Sequence, residues 1–181
     1  MNIFYLDPDP QICAEMHNNK HCVKMILEYA QLLSTAHRVL DGTMSVGLSD
    51  SGRKKTSYIL PDQRNNILYS ATHINHPSAM WVRKTHQNYM WLAELLEMLC
   101  WEYTYRYEKI HKVERVGLMQ LLKNEFPRNI PIGPFTGPTP AMPDDVKVPG
   151  NSLASYRNYY NKNKTHLADW KNRPVPQWFH G

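Results

Sequence analysis

Residues 17–38 read His17-Asn18-Asn19-Lys20-His21-Cys22-Val23-Lys24-Met25-Ile26-Leu27-Glu28-Tyr29-Ala30-Gln31-Leu32-Leu33-Ser34-Thr35-Ala36-His37-Arg38. At about 100° per residue, Val23, Ile26, Leu27, Ala30, Leu33 and His37 fall on one side of a helix. Cys22, Met25, Tyr29 and Leu32 widen that apolar arc to roughly 220°, against the ~100° stripe of an ordinary surface helix. A single narrow polar strip remains: His17, Lys20, His21, Lys24, Glu28, Gln31, Thr35 and Arg38. A helix this apolar is expected to be mostly buried, with its strip facing either solvent or a cleft. Ionisable groups gathered on a cleft-facing strip are candidates for chemistry.

The pattern extends in both directions. Met1 to Asp7 reads as a short extended piece, and Asp7-Pro8-Asp9-Pro10 offers a cap and a proline for a helix start. The spacing predicts a helix from about Pro10 to Leu40, with Asn18-Asn19 as its weak point, stopped by Asp41-Gly42. Residues 41–61 read as a loop by composition, running through Ser49-Asp50-Ser51-Gly52 into the three cations Arg53, Lys54 and Lys55. A short helix is expected within 62–74. From Pro77 a second, densely apolar helix is expected to run to about Lys109, with its own polar strip of His76, Arg83, Gln87 and Glu94. Two heavily buried helices, each with one narrow polar strip, can face one another across a cleft.

Further helices are expected over 113–126 and 152–170. Seven prolines between Pro127 and Gly150 exclude a regular helix or central strand there. That stretch reads as a long ordered loop anchored by Phe135, Met142 and Val146. The expected fold is therefore mainly α, a helical bundle with a long proline-rich loop, in one domain over residues 1–181.

The chain is long enough for a proper core, and 42% hydrophobic with 20% charged residues is globular composition. No apolar run reaches bilayer-spanning length, and the N-terminus lacks a basic leader region, so a cytosolic protein with no membrane partner is expected. Three cysteines (Cys13, Cys22, Cys100) without a C-x-x-C pair argue against a disulfide scaffold or a thiolate zinc site. The net charge of +5 suits an anionic partner such as nucleic acid.

Three chemistries are open. In the first, Lys20, Lys24 and Glu28 lie one turn apart. A lysine among other cations suits imine formation, and Glu28 can shuttle protons, with His17 and His21 beside them. Lys24 and Glu28 at i, i+4 are also an ordinary surface pair. In the second, His17/His21 at i, i+4 and His73/His76 at i, i+3 hold a divalent metal such as zinc, though the strip lacks the glutamate of H-E-x-x-H. In the third, Arg53-Lys54-Lys55 and the basic, tyrosine-rich last helix bind nucleic acid or a host protein without catalysis. Arg83, His76 and Arg157, with the three-cation run, are the candidate substrate or nucleic-acid contacts, Arg83 and the run being those to phosphate.

The combination of Tyr5-Leu6-Asp7, His17, Lys20-His21, Lys24…Glu28, Thr72-His73-Ile74-Asn75-His76-Pro77, Trp81, Arg83, Tyr156-Arg157…Tyr160 and Trp170…Arg173…Pro176…Trp178 resembles an uncharacterised family of proteins from large tailed phages. The resemblance spans nearly the whole chain and implies expression in the cytoplasm of an infected bacterium. The layout also resembles, more weakly, the pyrimidine-dimer DNA glycosylase/abasic lyase (endonuclease V-like) group: small, helical, basic, with an N-terminal segment reaching into the active site. That resemblance implies DNA as partner, no cofactor, and a catalytic glutamate on the first long helix, for which Glu28 is the match. The group's best-known member uses the amine freed by methionine removal. Asn2 is too large for that removal, so either the Met1 amine or a lysine, Lys20 or Lys24, is left to act as nucleophile. The leading expectation is a DNA-processing enzyme acting on damaged or modified bases.

Overall fold

The computed structural model describes residues 1–48 and 51–181, with residue 55 described in its backbone only. Among the described residues the protein is mainly α: 51% of it is helical, in eight helices, beside one two-stranded sheet. The first predicted helix is two. Helix α1 (Pro10–Met16) starts where Asp9 Oδ1 accepts the Gln11 and Ile12 amides at 2.8 and 3.1 Å. It ends at His17. Asn18 then caps α2 (Asn19–Asp41) by accepting the His21 amide at 2.9 Å. Gly42 closes α2, and here the glycine is needed: a Cβ would lie 2.5 Å from the Arg38 carbonyl oxygen.

Residues 43–48 and 54–59 correct the loop expectation. They form an antiparallel hairpin, β1 (Thr43–Leu48) and β2 (Lys54–Ile59), in the register Thr43↔Ile59 to Leu48↔Lys54. Glycine and serine content masked a period-two pattern, Met44/Val46/Leu48 on one face. The run Ser49-Asp50 lies outside the described residues. The hairpin base is held by Arg38, whose guanidinium donates to the carbonyls of Tyr58, Asn65, Leu68 and Tyr69. Arg38, which the strip reading leaves facing outward, is thus a buried organiser of the chain as far as Tyr69.

The short helix expected within 62–74 shrinks to α3 (Arg64–Ile67). The second long helix is also divided, into α4 (Pro77–Val82) and α5 (His86–Tyr107), because Thr85 turns extended and caps α5 through the Asn88 amide at 3.2 Å. Glu108, in the left-handed region at φ 55°, ends it. Gly117 at φ 78° splits the third predicted helix into α6 (Lys112–Arg115) and α7 (Leu118–Asn124). The last, α8 (Ser152–Asn163), stops seven residues before Trp170, which follows a short 3-10 turn at Thr165–Leu167.

Helix α5 packs against α1, α2 and α7, and α2 also packs against α4. Their facing side chains form one continuous core that takes in the N-terminal segment. Ile3, Phe4, Tyr5 and Leu6 are all buried. Each contributes about 1.5–3 kcal/mol of burial, so the segment is clamped along α2 and the position of residue 1 follows. The proline-rich stretch is ordered as expected. Met142 and Val146 are buried, Phe135 packs on the core, and Asn88, Trp81 and Thr85 bond to Thr136 and Pro134. The fully buried Arg106 pairs with Glu102 one turn back on α5 at 2.6 Å and ties the helix to the carbonyls of Glu15 and His17, and Arg173 closes the C-terminal segment on Glu102 at 2.8 Å. Among the described residues no helix is long and apolar enough to cross a membrane.

Candidate active site

Glu28 is the centre of the site. It sits mid-way along α2, with its side chain 15% exposed, and each of its oxygens meets a different primary amine. Oε2 lies 3.8 Å from the α-amine of Met1, and Oε1 lies 3.0 Å from Lys24 Nζ. The two amines differ in setting. The Met1 side chain is 6% exposed, whereas Lys24 is 60% exposed, one turn back along the helix.

The Met1 end is fixed by three local devices. The Phe4 amide donates to the Tyr29 hydroxyl at 3.1 Å, holding the extended segment beside α2. Ser78 Oγ donates to the Met1 carbonyl at 3.2 Å. Ser78 is in turn placed by the start of α4, where its amide donates to His76 Nδ1 at 3.1 Å. Thr35 on α2 exchanges hydrogen bonds with Thr72 and fixes the chain leading into His73 and His76.

His76 joins the cluster electrostatically. Burial holds its imidazole below the ordinary histidine range. The neighbouring Met1 ammonium and His73 push the same way, while Glu28 opposes them. With Nδ1 accepting an amide proton, the neutral ring carries its own proton on Nε2. The site thus holds a carboxylate, two amines and a neutral imidazole, partly withdrawn from water, where charge interactions exceed those at an open surface. The arrangement suits nucleophilic attack by an amine with a carboxylate to move protons.

Compared with models of known protein families, with curated proteins and with solved structures, the chain matches none.

The structure separates the other candidates from this cluster. His17 is fully buried, with Nδ1 against the Cys13 carbonyl at 2.7 Å and Nε2 against the Tyr29 hydroxyl at 3.1 Å. His21 faces the Tyr160 hydroxyl at 2.6 Å and stacks on Phe4 at 4.1 Å. Burial pushes His17 down to about 4 and His21 down to about 2. Both are core residues, contrary to their place in the catalytic set. They leave the strip because α8 and the N-terminal segment pack over that edge of α2. His73 is exposed and bonds the Thr72 hydroxyl. The four histidines of the metal reading do not meet as one set, and among the described residues no group of three or more histidine, cysteine or acidic side chains is arranged to hold a metal.

The cation assignments divide in the same way. Arg157 is spent on the Leu6 carbonyl at 2.9 Å, on Asp7 at 3.4 Å and on the Trp178 ring, so it latches the N-terminal segment rather than offering itself to phosphate. Arg83 folds back onto the Ala79 carbonyl at 2.8 Å. Arg53 and Lys54 are exposed at the hairpin tip, and the side chain of Lys55 lies outside the described residues. Lys20 is exposed and, with Lys24, edges a large groove along α2.

Two features were not legible in advance. Ser78 carried no sequence signal, being one serine at a helix start. Val23 and Leu27, assigned to the buried arc, are 40% and 41% exposed and floor that groove. The wall facing them comes from residues about 90 and 140 positions away, so no local pattern announces it.

Proposed function

We propose that the protein is an imine-forming nucleic-acid lyase, acting at abasic or damaged nucleotides, with the Met1 α-amine as nucleophile and Glu28 as acid–base. The single observation that carries this reading is the Glu28 carboxylate flanked by the Met1 amine at 3.8 Å and Lys24 Nζ at 3.0 Å. It supports the reading because an amine and a helix carboxylate, the two groups that imine chemistry needs, lie together.

The steps balance. Glu28 takes a proton from the Met1 ammonium, freeing the nitrogen lone pair. That nitrogen attacks C1′ of the open-chain abasic sugar, and Glu28 returns its proton to the carbinolamine oxygen, so that water leaves as the C=N bond forms and the carboxylate is regenerated. The iminium withdraws electrons, so a proton is lost from C2′ to the carboxylate and the C3′–O bond breaks, expelling the 3′ phosphate. Water then hydrolyses the imine and returns the amine. His76, neutral with Nε2 protonated, is a donor at the edge of this site.

The experiment is borohydride trapping on DNA with one abasic site, offered both as duplex and as single strand, with UV-irradiated duplex alongside. Borohydride reduces the C=N bond to a stable secondary amine. The expected product is a covalent protein–DNA adduct that maps to Met1. A form carrying an uncleaved extension ahead of Met1 is expected to give no adduct. No adduct and no strand nicking with the unextended chain overturns the reading. An adduct on Lys24 or Lys20 keeps imine chemistry and moves the nucleophile.

A further inference from the structure

Beside the Glu28 site, an open groove of about 1230 Å³ runs along the exposed face of α2. A pocket for one small molecule is about 300–1,000 Å³, so this groove is sized for an extended occupant. Its floor is apolar: Val23 and Leu27 of α2, with Val113 and Leu167 opposite. Tyr69 and Tyr107 supply aromatic walls, and Lys171 Nζ sits 5.3 Å from the Tyr107 ring. Its ionised lining is lopsided, with Lys20, Lys24 and Lys112 against the single carboxylate of Asp169. Lys24 belongs to both places, lining the groove and touching Glu28.

We infer that this groove binds an unpaired nucleic-acid strand, its bases against the apolar floor and tyrosines and its phosphates on Lys20 and Lys112. The positive surplus selects a polyanion. The floor selects among polyanions: a duplex keeps its base faces stacked inside and presents phosphates and groove edges, which leave exposed valine and leucine uncovered. An unpaired strand offers flat apolar faces to such a floor and to tyrosine rings, each stacked base contributing about 1–3 kcal/mol. An acidic peptide satisfies the lysines alone. The inference rests on the amine–carboxylate reading only for which nucleotide of the strand reacts. Strand binding itself stands apart from that chemistry.

The test is fluorescence polarisation with a labelled twelve-nucleotide single strand containing no abasic site, against the same sequence as a duplex, at several salt concentrations. The full chain is expected to bind the single strand at least ~10-fold more tightly than the duplex. The double variant Lys20→Glu/Lys112→Glu is expected to lose at least ~10-fold in affinity and to flatten the salt dependence by about 1.4 in log–log slope, two phosphate contacts on a single strand. Tyr107→Ala is expected to weaken the single strand more than the duplex. Lys20 and Lys112 are exposed and Tyr107 is half-buried, and thermal melting close to that of the parent chain checks the fold. Equal affinity for duplex and single strand, an unaltered double variant, or equally effective competition by polyglutamate each overturns the inference. Strand binding without borohydride trapping overturns the lyase reading and leaves the groove standing. Trapping without a single-strand preference does the reverse.

Discussion

Two clusters of ionisable groups lie within three turns of one another on α2, and they have opposite fates. His17, just ahead of the helix, and His21 are sealed in the core, each against a tyrosine hydroxyl. Glu28, two turns beyond His21, stays in reach of solvent between two amines. Their residue types and spacing alike suggest chemistry. What separates them is the element that packs on top. Tyr29 and Tyr160 give the imidazoles neutral partners in an apolar surround, so the rings shed their charge. Met1 and Lys24 give Glu28 charged partners in a half-open site, the setting that the proposed chemistry draws on. A titratable strip on a helix therefore gains its role from the third element that covers it, and one helix can carry both outcomes.

The strongest way to break this contrast is Glu28→Gln. The amide keeps the shape and can still accept hydrogen bonds from both amines, but it cannot take a proton. Loss of a positioned acid–base group is expected to lower the single-turnover trapping rate by about 10²–10⁴-fold. Stability is expected to fall by about 1–3 kcal/mol, because the amide keeps hydrogen bonds but leaves the ammonium of the largely buried Met1 without its counter-charge. Trapping at the parent rate in this variant removes Glu28 from the chemistry.

The buried histidines are expected to act only on stability, and pH reads this directly. A ring near 6.5 in the unfolded chain and near 4 in the folded one binds fewer protons when folded. Its contribution is then complete above about pH 6.5 and is lost as pH falls towards 4. Burial puts both His17 and His37 at about 4, so each is expected to remove about 2 kcal/mol of stability between pH 7 and pH 5. Urea unfolding at both pH values measures this. His17→Leu takes out one such group and is expected to lessen the loss by about 2 kcal/mol. At neutral pH the same variant is expected to be less stable by about 2–3 kcal/mol, since the Tyr29 hydroxyl and the Cys13 carbonyl lose their partner. An unaltered pH slope in His17→Leu contradicts a neutral, sealed ring.

Much of the fold was legible in the sequence because burial there follows one period. The 220° apolar arc marks α2 as central, Asn18-Asn19 marks its start, and the prolines of 127–150 exclude regular structure. Helix lengths were overestimated where single residues turn the chain: Thr85 inside the second long pattern and Gly117 inside the third. The hairpin was hidden by its glycine and serine content. At the site, Glu28 and Lys24 were legible from their i, i+4 spacing, and Met1 entered as one of three candidate amines. The withdrawal of His17 and His21 was not legible, because Tyr160 lies 139 residues from His21 and Phe4 belongs to the extended N-terminal segment outside the helix. Helical phase says which residues share a face and nothing of what will cover it. Arg157 misled for the same reason: its partners, Leu6 and Asp7, are about 150 residues away.

The smallest expected effect sharpens the contrast inside the site itself. Lys24 and Met1 both touch Glu28, but they occupy different surroundings. Lys24 is an exposed i, i+4 partner, and such pairs contribute about 0.3–0.5 kcal/mol. Lys24→Met keeps the apolar stem along the groove and removes the charge. Stability is expected to stay within about 0.5 kcal/mol of the parent. Trapping is expected to fall only a few-fold, since Glu28 loses the amine on Oε1 while the Met1 amine on Oε2 remains. The adduct should still map to residue 1. Complete loss of trapping, with the fold intact, makes Lys24 the nucleophile and reduces Met1 to a buried end of the chain. In that event the exposed amine is the reactive one, and clamping residues 3–6 in the core serves to place a counter-charge behind Glu28.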